Sequence, residues 1–331
     1  MNAPLVSVLI PCFNADPYIA AAIESVLAQS WRFREIIAVN DGSSDRTGDV
    51  LNSYRKHGVQ VIHQQNKGQC AAANRALSAA KGELIKFFDA DDIMAADMIQ
   101  LQVERLGNRR DAIVLGEWAR FHDDPSESDF QHLKMYRDAK PVDWLATEWG
   151  EGEPMMQCAL WLIPAEVLKR TGGWDERLSL INDFEFFARV LLNAQDVFYA
   201  PGARLHYRSG ISGSLSGRKS RKAAESAYLS LLLGTGHLLK AEYTLRTRRA
   251  AANMLQTFIY GFYPHFPDLR CLISQRIAEL GGADLEPSGP PGFHRFRRLM
   301  GWRAARHIQL LAESWGLNGA ARRARKMQIS Q

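Results

Sequence analysis

The first 107 residues repeat one rhythm, a short run rich in Val, Ile and Leu followed by a helical pattern. VSVLIP leads into DPYIAAAIESVLAQS, EIIAVN into TGDVLNSYRKHG, VQVIHQ into GQCAAANRALSAAKG, and ELIKFF into MAADMIQLQVERLG. Continuous apolar strands separated by helices bury both faces, so they belong in a parallel sheet covered by helices on each side. The expected fold class is α/β. Ligands of such sheets sit beyond the carboxyl ends of the strands, which makes the polar residues ending each run the first candidates for chemistry. Asp16 before Pro17 reads as a helix start, the Asp capping free amides and the Pro occupying the first turn.

After AIVLGEWARF (112–121) the pattern loosens through the acidic HDDPSESDF. A second group follows: a helix over 142–149, the strand CALWLIP, a helix from Ala165, the turn TGGWDERL, the helix DFEFFARVLLNA, and two strands, VFYAP and RLHYRS. SGISGSLSGRKS (209–220) reads as a mobile loop or linker. Helices are expected over 221–247, 249–261 and 268–280, and EPSGPPG separates them from a basic tail.

With 331 residues and 46% apolar composition the chain can bury a full core, which excludes disorder as its main state. Its four cysteines (Cys12, Cys70, Cys158, Cys271) lie far apart with no CxxC pair, so neither a zinc site nor a disulfide framework is indicated and a reducing, cytoplasmic compartment fits. The first residues lack the basic and apolar regions of a signal peptide, and no run of ~18 apolar residues occurs. No membrane span is expected. The net charge of +5 is uneven: residues 292–331 carry nine Lys and Arg against one acid, leaving the rest at −3.

Three strand ends stand out. Phe87-Phe88 runs into Asp89-Ala90-Asp91-Asp92, where Asp89 and Asp91 share a face of an extended chain. Such carboxylates either hold a hard divalent cation together with substrate phosphates or form a solvated acidic turn that caps the next helix. Asn40-Asp41-Gly42-Ser43-Ser44-Asp45 offers Asp41 as an acceptor for a nucleobase N–H and Ser44 or Asp45 as a helix cap, or else an ordinary Asx turn. Asn66 to Asn74 joins a strand to a helix of small residues, which allows close approach to a sheet or to an anion.

Taken together, VSVLIPCFNADPYIAAAIESVLAQS with EIIAVNDGSSDRT, then NKGQCAAANRAL, GELIKFFDADD, TGGWDERL and NDFEFFARV resemble the family 2 glycosyltransferases. The resemblance runs to about residue 215 and implies a GT-A fold, a Rossmann-like, mostly parallel sheet flanked by helices, followed here by a helical C-terminal extension. It divides the chain into a GT-A domain over 1–218, with a nucleotide-binding half (1–110) and an acceptor and catalytic half (111–218), and a helical region over 219–331 ending in a basic amphipathic tail.

The resemblance also implies roles. Pro11, Phe13 and Asp41 would bind the nucleoside, a uridine, with Lys67 and Gly68 at the same end. Asp89 and Asp91 would hold ribose and a divalent metal, Mn²⁺ or Mg²⁺. Asp183 would be the catalytic base. Gly173, Trp174, Asp175 and Asn182 would border donor sugar and acceptor. His206 is a further metal-ligand candidate, and Arg208 with Ser214 would belong to a lid over the diphosphate. Phe184, Phe186 and Phe187 would desolvate Asp183 or, for at least two of them, pack in the core. Two departures occur: Asn182 stands where the family often has Glu, and Ala73 where an Arg commonly precedes the helix Asn. No QxxRW motif is present, which favours addition of a single sugar.

The implied activity is inverting transfer from a nucleotide-diphospho-sugar, a UDP-sugar, to a saccharide or lipid-linked acceptor in cell-surface polysaccharide or glycolipid assembly. The alternatives are a nucleotidyltransferase and a catalytically weak nucleotide-sugar-binding protein. In the tail, Phe296, Met300, Ile308, Leu311 and Trp315 recur at helical intervals among arginines, so this helix either lies on an anionic membrane surface or packs against the domain. Localisation is expected to be cytoplasmic with peripheral contact at the membrane, and no nucleic-acid motif is present.

Overall fold

The alternating half folds as β1 (Val6–Cys12), α1 (Ile19–Leu27), β2 (Arg34–Asp41), α2 (Thr47–Ser53), β3 (Val59–Gln64), α3 (Gln69–Ala79), β4 (Leu84–Phe87), β5 (Ile93–Met94) and α4 (Met98–Leu106). β6 (Ala112–Phe121), α5 (Pro141–Glu151), β7 (Trp161–Pro164), α6 (Ala165–Thr171), α7 (Asn182–Asn193) and β8 (Asp196–Arg208) follow. Four further helices complete it: α8 (Arg221–Ala241), α9 (Leu245–Phe262), α10 (Pro267–Glu279) and α11 (Phe293–Ser314). This computed structural model describes residues 3–152, 155–211, 220–289 and 293–314.

The strands form one sheet in the order β3-β2-β1-β4-β7-β6-β8-β5. β1, β2, β3 and β4 are mutually parallel, with Cys12 beside Asn40 and Leu9 beside Phe87. β7 runs antiparallel to β4 and to β6. Because β1 lies between β2 and β4, the chain leaves its carboxyl end toward opposite sides, which opens a crevice there. α3 closes one face through Cys70, Ala72, Ala73 and Ala76, all buried, so the small residues serve helix–sheet contact. Ala73 in particular is buried in that contact.

Three local expectations differ from the structure. α1 begins at Ile19, where Ala15 O accepts the amides of Tyr18 and Ile19. The Asp16 carboxylate caps no helix among the described residues and pairs with Arg46 instead. VFYAP and RLHYRS are two arms of β8, joined through a bulge at which Leu115 faces Tyr199 but Glu117 faces Arg204. Glu117 fastens this bulge by accepting from Gly202 N and Tyr199 Oη. The break between α8 and α9 falls at Glu242–Thr244, where Thr244 and Thr247 form a reciprocal cap.

Below the crevice lies an aromatic core. Trp174 stacks on Phe186 with centroids 3.9 Å apart, Phe187 stacks on Trp161 at 5.7 Å, and Phe184 on Trp149 at 4.3 Å. All three phenylalanines are buried, so the core role holds for each. α8 lies close against α7: a Cβ on Gly234 would sit 2.5 Å from Phe184 Cε1. Among the described residues no helix is long and apolar enough to cross a membrane.

Candidate active site

The carboxyl ends of β1, β2 and β4 bring Pro11, Phe13, Asp41 and Asp89 to one mouth. Phe13 presents its ring there, 47% exposed. Asp41 is buried, and its carboxylate organises the loop before α3: Oδ1 accepts from Gln64 Nε2 and Lys67 N, and Oδ2 from Gly68 N, each at 2.8 Å. Gly68 sits at φ +95°, a conformation that side chains resist, so this turn requires glycine. A carboxylate has about four acceptor sites; three are filled here, and one remains for a ligand. Asp45 Oδ1 accepts from Thr47 N at 3.0 Å and serves the start of α2, as its position implied.

Beyond β4 the carboxylates form a tied cluster. Asp89 accepts from Gln69 Nε2 and Gln157 Nε2, both at 3.1 Å. Asp92, wholly buried, accepts from Gln157 Nε2 at 2.6 Å and from Arg208 N at 2.9 Å. Arg208 Nε donates to Asp91 O at 2.9 Å, and its guanidinium lies over Phe121 and Tyr18. Burial and the neighbouring Asp89 charge push Asp91 up to about 7. Burial, then Asp91 and Asp89, hold Asp92 well above the carboxylate range. The same two kinds of cause, burial first and Asp89 second, raise Asp183 at the start of α7, which places that carboxyl within reach of the Asp89 charge.

These carboxyls retain protons in the folded chain that an unfolded chain releases near pH 4. The folded state therefore binds more protons than the unfolded state between about pH 4 and 7, and its stability falls as pH rises through that window. Without metal or donor, the melting temperature of Asp91→Asn should decline less steeply between about pH 5 and 8 than that of the wild type. Parallel declines in a calorimetric pH series would contradict the assignment.

The start of α7 is held from several sides. Ile181, which precedes it, adopts φ +60°, a strained conformation for a β-branched residue. Ser230 Oγ from α8 donates to Ile181 O at 2.5 Å, while Ser226 Oγ accepts from the amides of Ser179 and Leu180. Asn74 on α3 clamps the preceding turn: its Oδ1 accepts from Trp174 N at 2.7 Å, and its Nδ2 donates to Trp174 O at 2.9 Å. A Cβ at Gly173 would lie 2.6 Å from Asn74 Oδ1, which explains the glycine. Asp183 itself accepts no hydrogen bond among the described residues, so its carboxyl is available to a ligand.

Several expected residues are placed otherwise. The Trp174 indole is 6% exposed and packs beneath the mouth against Phe87 and Phe186. Asn182 is buried and donates through Nδ2 to Gln69 Oε1 and Cys70 Sγ, tying α7 to α3. Asp175 is paired with Arg177 at 2.5 Å inside its own turn, which keeps its carboxyl ionised below the usual range. His206 is oriented by its Nδ1, which faces Pro125 O and Ser128 Oγ, and its ring packs edge-on against Phe121 and Phe130. Arg208 is a strand-end residue held by Asp91 and His122 carbonyls, not part of a loop. Ser214 lies outside the described residues.

Comparison with known proteins bears directly on this arrangement. The sequence model of Glycosyl transferase family 2 matches residues 7–171. EpsH of Bacillus subtilis (strain 168), assigned as a glycosyltransferase, is 30% identical over 236 residues, which cover 68% of this chain and 67% of EpsH. The chain belongs to glycosyl transferase family 2. Its fold resembles S. aureus TarS 1-349, solved in complex with UDP-GlcNAc, at TM-score 0.65 and 16% identity over 83% of this chain and 80% of that one. It also resembles the mannosyltransferase PcManGT of Pyrobaculum calidifontis, solved with GDP-Man and Mn²⁺, at TM-score 0.53 and 15% identity over 99% of this chain and 85% of that one. The transferase is thus an α/β protein of GT-A type.

The residues that sequence reasoning missed in this transferase are one glutamine and one lysine. Gln157 bridges Asp89 and Asp92 through Nε2, while its Oε1 accepts from Ala159 N at 2.8 Å. Lys86, wholly buried in β4, donates to Gln102 Oε1 at 2.8 Å and to Ala159 O at 2.7 Å. It thereby fixes the turn that carries Gln157, and burial lowers its amine to about 7. The one signal for Lys86 was a lysine inside the apolar run ELIKFF; Gln157 gave none.

Proposed function

We propose that this family 2 glycosyltransferase transfers one sugar, with inversion, from a UDP-sugar to an acceptor hydroxyl, in a metal-dependent reaction. The observation that carries this reading is the half-buried Asp183 carboxyl, which accepts no hydrogen bond among the described residues and lies within reach of the Asp89 charge. Inversion by in-line attack needs a single carboxylate at the reacting centre, because no covalent enzyme intermediate forms. The acceptor O–H proton passes to Asp183, the acceptor oxygen bonds to the anomeric carbon, and the bond to the β-phosphate oxygen breaks with its electron pair leaving on UDP. A raised proton affinity suits a base at neutral pH.

The residues present fit a divalent ion. Asp89 and Asp91 are hard oxygen donors that repel one another and form no ion pair among the described residues, and they would leave the rest of a coordination shell to donor phosphates and water. Mn²⁺ or Mg²⁺ held there would supply positive charge against the diphosphate. Phe13 and Pro11 would cover the uracil and Asp41 accept from its N–H, with Lys67 and Gly68 alongside. Asp89 would take the ribose, Arg208 the diphosphate, and Gly173 and Asp175 would border sugar and acceptor. UDP-GlcNAc in the TarS structure supports the uridine assignment, and Mn²⁺ in that of PcManGT supports the ion. The proposed acceptor is a saccharide or lipid-linked glycan of cell-surface polymer assembly, met at the cytoplasmic face of a membrane.

Thermal unfolding with a panel of nucleotides tests the reading. UDP or a UDP-sugar should raise the melting temperature slightly alone and much more with Mn²⁺. Equal stabilisation by ATP or NAD, or by UDP in the presence of a chelator, would overturn it.

A further inference from the structure

α11 is attached to the body along one side. Phe293 and Ala305 are buried, Trp302 packs edge-on against Tyr260 and Tyr263 with centroids 5.0 Å apart in each case, and Arg306 donates to Tyr260 O. Arg297 pairs with Glu286 at 2.6 Å. The other side carries large apolar groups exposed to solvent. Phe296, Leu299, Met300, Ile308 and Leu311 are all exposed, Leu299 by 81%, and they make up five of the eleven large apolar side chains exposed among the described residues. Gly301, at φ +79°, kinks the helix between the two apolar groups.

Arg295, Arg298 and Arg303 are exposed on the same element and make no salt bridge to a carboxylate among the described residues. Residues 293–314 contain five Arg and one acid, and residues 315–331 add three Arg and one Lys with no acid. This charge argues against a second copy of α11 as the cover, since two such helices would repel. Large aliphatic side chains between the arginines argue against nucleic acid, which offers phosphates but no apolar depth. A surface with phosphate outside and hydrocarbon a few ångströms beneath satisfies both groups at once.

We propose that α11 is an interfacial anchor that lies in the headgroup layer of an anionic bilayer, with its five exposed apolar side chains among the acyl chains and Arg295, Arg298 and Arg303 on lipid phosphates. The anchor rests on no step of the catalytic reading and stands or falls separately from it.

The test is co-sedimentation of the full chain with vesicles of phosphatidylglycerol and phosphatidylcholine in equal parts, and with phosphatidylcholine alone. Binding should be strong on the first, weak on the second, and reduced by salt. Phe296→Glu with Leu299→Glu should reduce it by tenfold or more, and Arg295→Glu with Arg298→Glu by about tenfold or more. All four positions are exposed, so the melting temperature and metal-dependent stabilisation by UDP should match the wild type in both variants. Equal binding to the two vesicle types, or binding untouched by both double variants, would overturn the anchor. So would a dimer in solution that either variant dissociates, combined with no vesicle binding.

Discussion

Asp183→Asn should lower sugar transfer by about 10²–10⁴-fold while UDP binding in the presence of Mn²⁺ stays near wild type. The substitution keeps the shape of the side chain and removes its basicity. Because the Asp183 carboxyl supports no hydrogen bond among the described residues, the start of α7 loses nothing that holds it. Steady-state transfer assays with a UDP-sugar, paired with a UDP titration, separate the two quantities. Transfer close to the wild-type rate would place the base elsewhere, and lost UDP binding would make Asp183 a structural residue.

Asp91→Asn should have a different signature, losing both transfer and the Mn²⁺-dependent part of UDP stabilisation. Its carboxyl is raised to about 7 by burial and by Asp89, so negative charge is poorly accommodated at this position of the folded chain. Weakening the hold on a cation that would neutralise the leaving diphosphate costs several kcal/mol, on the order of 10²–10³-fold in rate. The melting temperature with UDP, measured with and without Mn²⁺, is the discriminating readout: the two curves should coincide in the variant. An undiminished Mn²⁺ effect would assign the ion to other residues.

The parts of this fold that could be read from sequence are those governed by periodicity. Apolar runs such as VSVLIP and EIIAVN have little choice but a sheet interior, and a parallel sheet directs Asp41 and Asp89 to one end. What could not be read is the direction in which a side chain turns once its segment is placed. Trp174 and His206 sit in the expected segments, yet one ring enters the core and the other an aromatic niche beside Pro125, because neighbours far away in sequence supply the contacts. Gln157 and Lys86 were hidden for the opposite reason. Glutamine and lysine ordinarily face water, so nothing in their identity announces that each is buried with its polar atoms satisfied by Asp89, Asp92, Gln102 and a main-chain carbonyl.

The left-handed turn at Ile181 is fastened by two serines of α8, beyond the residues 7–171 that match the family model. The start of α7, which carries Asp183, is therefore braced by residues outside that match. Grafting the residues before α8 onto another tail would therefore remove Ser226 and Ser230, and with them the brace on the turn at Ile181.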